Sequence, residues 1–240
     1  EENAITLAAT ANNGRIIEEP MGSGAPVSPD TRMIYMIAFA FGIGIPVAII
    51  YVRNLLRFRI EGHLDVEKLT TVPIIGDIPL AESPNGPSST IVVRENDNDI
   101  MAETFRNLRT NLLFIMGDPD KKVILVTSTI SGEGKTFLAS NLAVSLALLG
   151  KKVLLIGLDI RKPGLNKTFN IPQKQKGITQ FLSAPQSTDL HALIQPSGTT
   201  PNLSLLPGGA IPPNPTELLA RQTLDQAIGI LRREYDYIVM

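Results

Sequence analysis

The longest unbroken apolar pattern in the chain runs from Met33 to Val52, uncharged and hydrophobic on every side. A helix of about twenty such residues is long enough to cross a bilayer core, and with no polar face it has no side to offer water. From Ile100 to Phe114 the pattern changes to helical spacing: Met101, Phe105, Leu108, Leu112 and Leu113 share one face. A short β-type run, Val123 to Val126, comes next and gives way to a polar loop. Thr136–Leu149 is apolar nearly all round, which predicts a deeply packed helix closed by Gly150. Lys152–Ile156 predicts a second buried strand, parallel to the first across a right-handed crossover. Leu203–Leu206 and Tyr237–Met240 predict two more strands. Between them Thr216–Arg233 reads as an amphipathic helix, with Pro215 suited to its first turn.

The polar stretches divide the chain. Residues 1–30 are small and polar and end in a Pro- and Gly-rich approach, read as the tail of an upstream domain. Residues 31–53 are the expected transmembrane helix. Residues 54–96 read as a linker, because Pro73, Pro79, Pro84 and Pro87 interrupt any helix and 83–89 are flexible and polar. Within it the short apolar piece 72–79 is expected to dock as an extended strand. Residues 97–240 form the expected α/β domain. Arg53, Arg57 and Arg59 follow the apolar run, whereas Glu18, Glu19, Asp30 and the single Arg32 precede it. That bias puts the C-terminal side in the cytoplasm.

Composition narrows the chemistry. A net charge of −1 over 240 residues gives no sign of nucleic-acid binding. The absence of cysteine excludes disulfides and thiolate metal sites, and the two histidines, His63 and His191, each lack a second ligand nearby, which argues against zinc. The chain opens on Glu1 and stops inside an apolar run, so it is expected to be a piece of a longer one.

The loop after the first strand carries the strongest chemical signal. It ends Ser131-Gly132-Glu133-Gly134-Lys135-Thr136 and a helical segment follows at once, the strand–loop–helix order of a P-loop. Gly132 and Gly134 let successive backbone N–H groups turn inward onto phosphate oxygens, and the helix start adds free donors. Lys135 would reach the β- and γ-phosphates of ATP, and the Thr136 hydroxyl would ligate Mg²⁺. The motif's opening glycine is replaced by Thr129. The fold class is therefore α/β: a P-loop NTPase-type parallel sheet flanked by helices, incomplete at its end and preceded by one transmembrane helix. Asp159 lies just past the second strand, at the edge where open α/β sheets bind ligands. It is a candidate for serving Mg²⁺ or taking a proton, or else a carboxylate that caps a turn. Glu103, Arg106 and Arg109, spaced by three, form one charged stripe, which spacing alone reads as a solvated face.

Several of these motifs together resemble the bacterial tyrosine kinases fused to polysaccharide co-polymerases of capsule and exopolysaccharide export. The stretch from Pro26 to Pro29 is similar to that family's proline-rich entry to its second membrane helix, which implies that residues 1–30 end a periplasmic chain-length domain. Glu103-Thr-Phe-Arg106-Asn-Leu-Arg109 resembles its Glu-x-x-Arg-x-x-Arg motif. The resemblance turns that stripe into an expected interface for ring-like self-assembly and autophosphorylation between copies. Thr129–Thr136 resembles the Walker A loop, 154–163 the Walker A′ segment, and 207–219 the loop and helix that follow. By this likeness Lys135 and Asp159 are the catalytic pair, and the protein is an inner-membrane, ATP-dependent tyrosine kinase working with polysaccharide polymerisation and export machinery. Gly157 stands where the family has the first Walker A′ aspartate. The Walker B aspartate and the tyrosine cluster would fall beyond Met240, so this piece alone is expected to be poorly active. Two other readings compete: a non-catalytic, nucleotide-binding assembly scaffold, and a septum-site or plasmid-partition ATPase. The second is disfavoured by the membrane run and by Ile130, where those proteins carry a lysine.

Overall fold

A computed structural model describes residues 30–56, 60, 62–80, 91–95, 99–118, 120–172 and 175–240. Arg57, Arg59, Asp97, the 83–89 stretch and everything before Asp30 lie outside them. The chain divides into two compact units, with the boundary between Val72 and Pro73.

The first unit contains helix α1, Thr31–Leu55, and a short helix α2, His63–Leu69. Asp30 caps α1, its side chain accepting the Arg32 N–H at 3.1 Å. At 25 residues α1 is about 37 Å long. None of its residues is buried, and its most apolar window has a mean hydropathy of 2.3.

The second unit is a parallel-dominated sheet with helices packed on it. Its elements are α3 (Ile100–Met116), β1 (Val123–Ile124), α4 (Lys135–Ala147), β2 (Val153–Ile156), α5 (Leu165–Thr168) and α6 (Ile178–Ser183). They continue through β3 (Gln195–Pro196), β4 (Leu203–Leu206), α7 (Pro215–Leu219), α8 (Gln222–Leu231) and β5 (Tyr237–Val239). The strand order is β1-β5-β2-β4-β3, with every pair parallel except β3–β4. The first two strands are parallel, as their apolar runs predict, but they are not neighbours: β5 lies between them. Val126 donates to the Met240 carbonyl at 2.7 Å, extending that pairing past β1 toward the loop.

Two apolar clusters hold the sheet between its helices. On one face α3 and α4 pack through Phe105, Leu108, Leu142, Leu146, Val153 and Leu155. There Phe105 and Phe137 meet edge-to-face with centroids 5.7 Å apart, an arrangement that adds about 0.5–1.5 kcal/mol beyond area burial. On the other face Leu154, Ile156, Ile178, Leu182, Leu218, Leu231 and Ile238 pack together.

Three features depart from the pattern-based expectation. Residues 73–80 and 91–93, expected within a linker, belong to this unit's core. Ile75, Ile78, Ile91 and Val92 pack against it, and Val93 is fully buried. Both ends of that strap are pinned: the Ile75 carbonyl accepts from Asn111 Nδ2 at 2.9 Å, and Asn141 Oδ1 takes the Val92 and Val93 N–H groups at 2.8 and 3.2 Å. Piece 72–79 is not a strand and pairs with no strand of the sheet, with a bend at Val72. Finally, the single helix expected at 216–233 is two, α7 and α8, broken at Ala220–Arg221. Leu218 and Ala227 are nine positions apart, about 900° of helical rotation. A continuous helix would point them in opposite directions, and the break lets both be buried.

Candidate nucleotide site

The loop between β1 and α4 adopts the conformation its glycines permit. Gly132 and Gly134 sit at φ 95° and 94°, and Gly134 leads directly into α4. A side chain at either position would be strained, so the loop's course depends on the two glycines. Ser131, Gly132, Glu133 and Gly134 are all exposed on the loop. Glu133 Oε2 accepts the Ile130 N–H at 3.1 Å. That bond, followed by one from the Ser128 hydroxyl, holds the carboxyl below the ordinary carboxylate range. Lys135 Nζ lies over the loop, donating to Ser128 Oγ at 2.6 Å and to the Ile130 carbonyl at 3.1 Å.

Lys135, Thr136 and Asp159 line one cavity of about 240 Å³ at the C-terminal edge of the sheet. The first turn of α4 supplies the first two residues, and the loop that follows β2 supplies the third. Asp159 is exposed and its Oδ1 also accepts the Lys162 N–H at 2.9 Å, so it caps a turn and faces the cavity at once. Gly164 closes in on Thr136: a Cβ on it would stand 3.0 Å from the Thr136 hydroxyl. Ser140, one turn beyond Thr136, contributes to the same wall and is fully buried with its hydroxyl unpartnered. This is an oxygen-donor set, the kind that Mg²⁺ takes alongside substrate phosphates. Among the described residues no three His, Cys, Asp or Glu side chains gather into a metal cluster.

Gly157 is packed tightly. A Cβ there would lie 3.1 Å from the Gly208 nitrogen and 3.3 Å from Leu165 Cδ2. The Gly208 loop is itself fixed, because α6 donates to it from the Ile178 and Thr179 N–H groups at 2.9 and 3.1 Å. The Thr179 hydroxyl adds a third bond, to the Ala210 carbonyl at 3.1 Å. Nothing in the local sequence around Gly157 announces this approach, since the two loops are distant along the chain.

The charged stripe on α3 does not stay together. Glu103 and Arg106 pair at 2.8 Å on the surface. Arg109 turns toward α4 instead, donating from Nη1 to the Ser145 carbonyl at 2.6 Å and contacting its hydroxyl at 3.2 Å. Its Nε is buried without a partner, and burial, then Arg106, lowers its pKa from the ordinary value. Sequence reading missed this strut and the Asn141 anchor. The signal was there: Asn141 and Ser145 are polar residues four apart on one face of an otherwise apolar helix, and both need partners.

A glycine-containing loop between a parallel strand and a buried helix, opening beside a carboxylate at the sheet edge, defines a P-loop NTPase-type α/β domain. The sequence profile described as AAA domain matches residues 121–240. The solved structure of the chimerical protein CapA2B2 superposes with a TM-score of 0.64 at 30% identity over 74% of each chain. The kinase domain of the Escherichia coli tyrosine kinase ETK superposes at 0.56, with 30% identity over 60% of this chain and 55% of that one. Among curated relatives, tyrosine-protein kinase ptk of Acinetobacter johnsonii is 27% identical over 98% of this chain. Tyrosine-protein kinase etk of Escherichia coli K12 is 26% identical over all of it. The chain spans about a third of those relatives' own length, 33% and 35% respectively. It belongs to the AAA-domain family, and the relatives it is similar to are named bacterial tyrosine kinases.

Proposed function

We propose that the chain is the ATP-binding, membrane-anchored part of a protein-tyrosine autokinase that regulates polymerisation and export of a capsular polysaccharide or exopolysaccharide. The observation that carries this reading is the convergence of Lys135, Thr136 and Asp159 on one cavity. The printed names of its relatives add the tyrosine chemistry.

Phosphoryl transfer asks a protein mainly for positioning and charge stabilisation. Lys135 and the N–H groups of Ser131 to Thr136 would hold the β- and γ-phosphates. Thr136 and Asp159 are the oxygen donors that would hold Mg²⁺, which neutralises charge on the phosphates when bound. The acceptor is a tyrosine hydroxyl on a neighbouring copy: its oxygen bonds to the γ-phosphorus, the bond to the β-phosphate oxygen breaks and ADP leaves. Asp159 takes the hydroxyl proton. Glu103 and Arg106 would help bring the neighbour into range in a ring-like assembly, while Arg109 acts from behind them by fixing α3 to α4. α1 would cross the inner membrane with Arg53 on the cytoplasmic side, so that residues 1–30 are periplasmic and residues 97–240 cytoplasmic.

Removing one charge-stabilising contact of this kind costs about 2.7–4 kcal/mol of barrier. In the intact protein Lys135→Met is therefore expected to abolish phosphotyrosine on immunoblots, and undiminished phosphotyrosine would refute the assignment. A second reading, a nucleotide-binding assembly scaffold without catalysis, has one observation in its favour. The close approach of Gly157 to Gly208 leaves no room for a carboxylate at 157 without movement of the loop. Wild-type protein that binds ATP yet never gains phosphotyrosine would favour the scaffold.

A further inference from the structure

A cavity of about 940 Å³ lies beside the nucleotide site, between residues 161–172 and the loop at 209–211. Pro163 and Gly164 line both cavities, so the two share a wall. The charge around the larger one is one-sided. Arg161, Lys162 and Lys167 stand at it, all exposed, and among the described residues no carboxylate lines it. Arg161 is held in place by donating from Nη2 to the Thr216 hydroxyl at 2.7 Å. Ile171, which is buried, and Ile211, which is exposed, add apolar surface. Asn166 is the buried polar member of the lining: it is 7% exposed, and its Oδ1 has no hydrogen-bond partner. An amide oxygen left bare inside a protein is destabilising, and a leucine of similar size would avoid that cost. The turn does not need the amide, because the Asn166 main-chain carbonyl, not its side chain, accepts the Ile171 N–H at 2.8 Å.

We propose that this cavity binds a phosphorylated sugar as an effector, with its phosphate against Arg161, Lys162 and Lys167 and a sugar hydroxyl donating to Asn166 Oδ1. The site asks for three properties at once. Cations without a countercharge call for an anion. A buried acceptor without a donor calls for an O–H that reaches in. The isoleucines call for C–H surface between those two ends. A sugar phosphate has all three, and the cavity is within the range of about 300–1,000 Å³ that holds small ligands. An acidic peptide would meet the exposed cations, but only a small group reaches an oxygen buried as Asn166 Oδ1 is. That the anion carries a sugar rests on the polysaccharide reading above, since polymerisation consumes sugars activated as phosphate esters. Occupancy is felt next door. Gly164 belongs to both walls, and a Cβ on it would stand 3.0 Å from the Thr136 hydroxyl. A ligand that moves residues 163–164 therefore moves the residue placed at Mg²⁺, and the supply of activated sugar reaches the phosphate site.

The test uses the full chain in detergent, with Mg-ADP saturating the P-loop. Calorimetric titration with glucose 1-phosphate and UDP-glucose is expected to show saturable binding, with inorganic phosphate about tenfold weaker, the worth of one lost hydrogen bond. Asn166→Leu is expected to weaken sugar-phosphate binding about tenfold for the same reason, while the unliganded variant melts at the wild-type temperature or above it. Lys167→Glu, at an exposed position, is expected to weaken binding at least as much. In a separate titration without ADP, glucose 1-phosphate is expected to shift the Mg-ATP affinity of the wild type and not that of Asn166→Leu; no shift in either overturns the effector role. Equal affinity for inorganic phosphate, unchanged binding in both variants, or no sugar-phosphate binding overturns the site. So does an acidic tyrosine peptide that binds in a Lys167-dependent way where sugar phosphates do not. None of these outcomes touches the P-loop reading, which Mg-ADP binding to the same sample checks by itself.

Discussion

α1 and α4 are both apolar around nearly their whole circumference, and they meet opposite fates. α4 has 13 residues, of which nine are buried; α1 has 25 and none. The difference is in what interrupts the apolar surface. α4 carries Asn141 and Ser145, whose polar groups meet Val92, Val93 and Arg109, so its environment is protein with specific partners. α1 offers no such groups between Met33 and Val52 apart from Tyr35 and Tyr51 near its ends, the arrangement expected of a lipid-facing helix. A uniform apolar surface therefore says only that a helix must leave water. Length and the placing of polar residues decide what replaces the water.

The largest expected effect sharpens this contrast from the α4 side. Leu146→Ala leaves a cavity at a fully buried position and should destabilise the second unit by about 2–5 kcal/mol in denaturant unfolding. Truncating Ile45 in α1 should leave that transition where it was. Equal shifts would mean the two helices share one environment. Next, an arginine at the middle of α1, Ile43→Arg, should cost about 2.5–3.5 kcal/mol of membrane insertion. Carbonate extraction should then release a larger share of the protein, and unchanged retention would contradict a lipid-facing role. Asn141→Ala strips the partner from two backbone N–H groups, a loss of about 1–3 kcal/mol for each buried group. Faster hydrogen exchange at Val92 and Val93 is the expected readout.

The smallest effect lies outside both helices. His191 Nε2 meets Glu234 at 2.7 Å, with Asp189 on its other nitrogen, and the Glu234 bond first of all raises its pKa. A raised folded-state pKa stabilises the fold fully below the ordinary histidine value, about 6.5, and this contribution is lost as pH rises through the folded value. His191→Ala should flatten that part of the stability profile, and a wild-type profile already flat there would remove the pair from the account.

What the sequence made legible was local. Gly132, Gly134, Lys135 and Thr136 are contiguous, so their spacing carries the loop. The runs at 153–156, 203–206 and 237–239 are each buried strands whose apolar residues show it. What stayed hidden depends on partners distant along the chain. Insertion of β5 between β1 and β2 follows from sheet order, which no single run encodes. Arg109 reads as part of a surface stripe until Ser145, 36 residues away, draws it inward. Likewise the strap at 73–80 falls in the expected linker because its prolines interrupt any helix; that it docks was expected, but not that Ile75 and Ile78 seat it on the core without strand pairing. Tyr235, just before β5, is buried with the Lys152 ammonium 4.9 Å from its ring centre.

The central claim is that the loop before α4 grips a triphosphate, and calorimetric titration of the full chain with Mg-ATP tests it most directly. Saturable binding by the wild type that disappears in Lys135→Met is the predicted result. Titration curves that are the same for both proteins would contradict it.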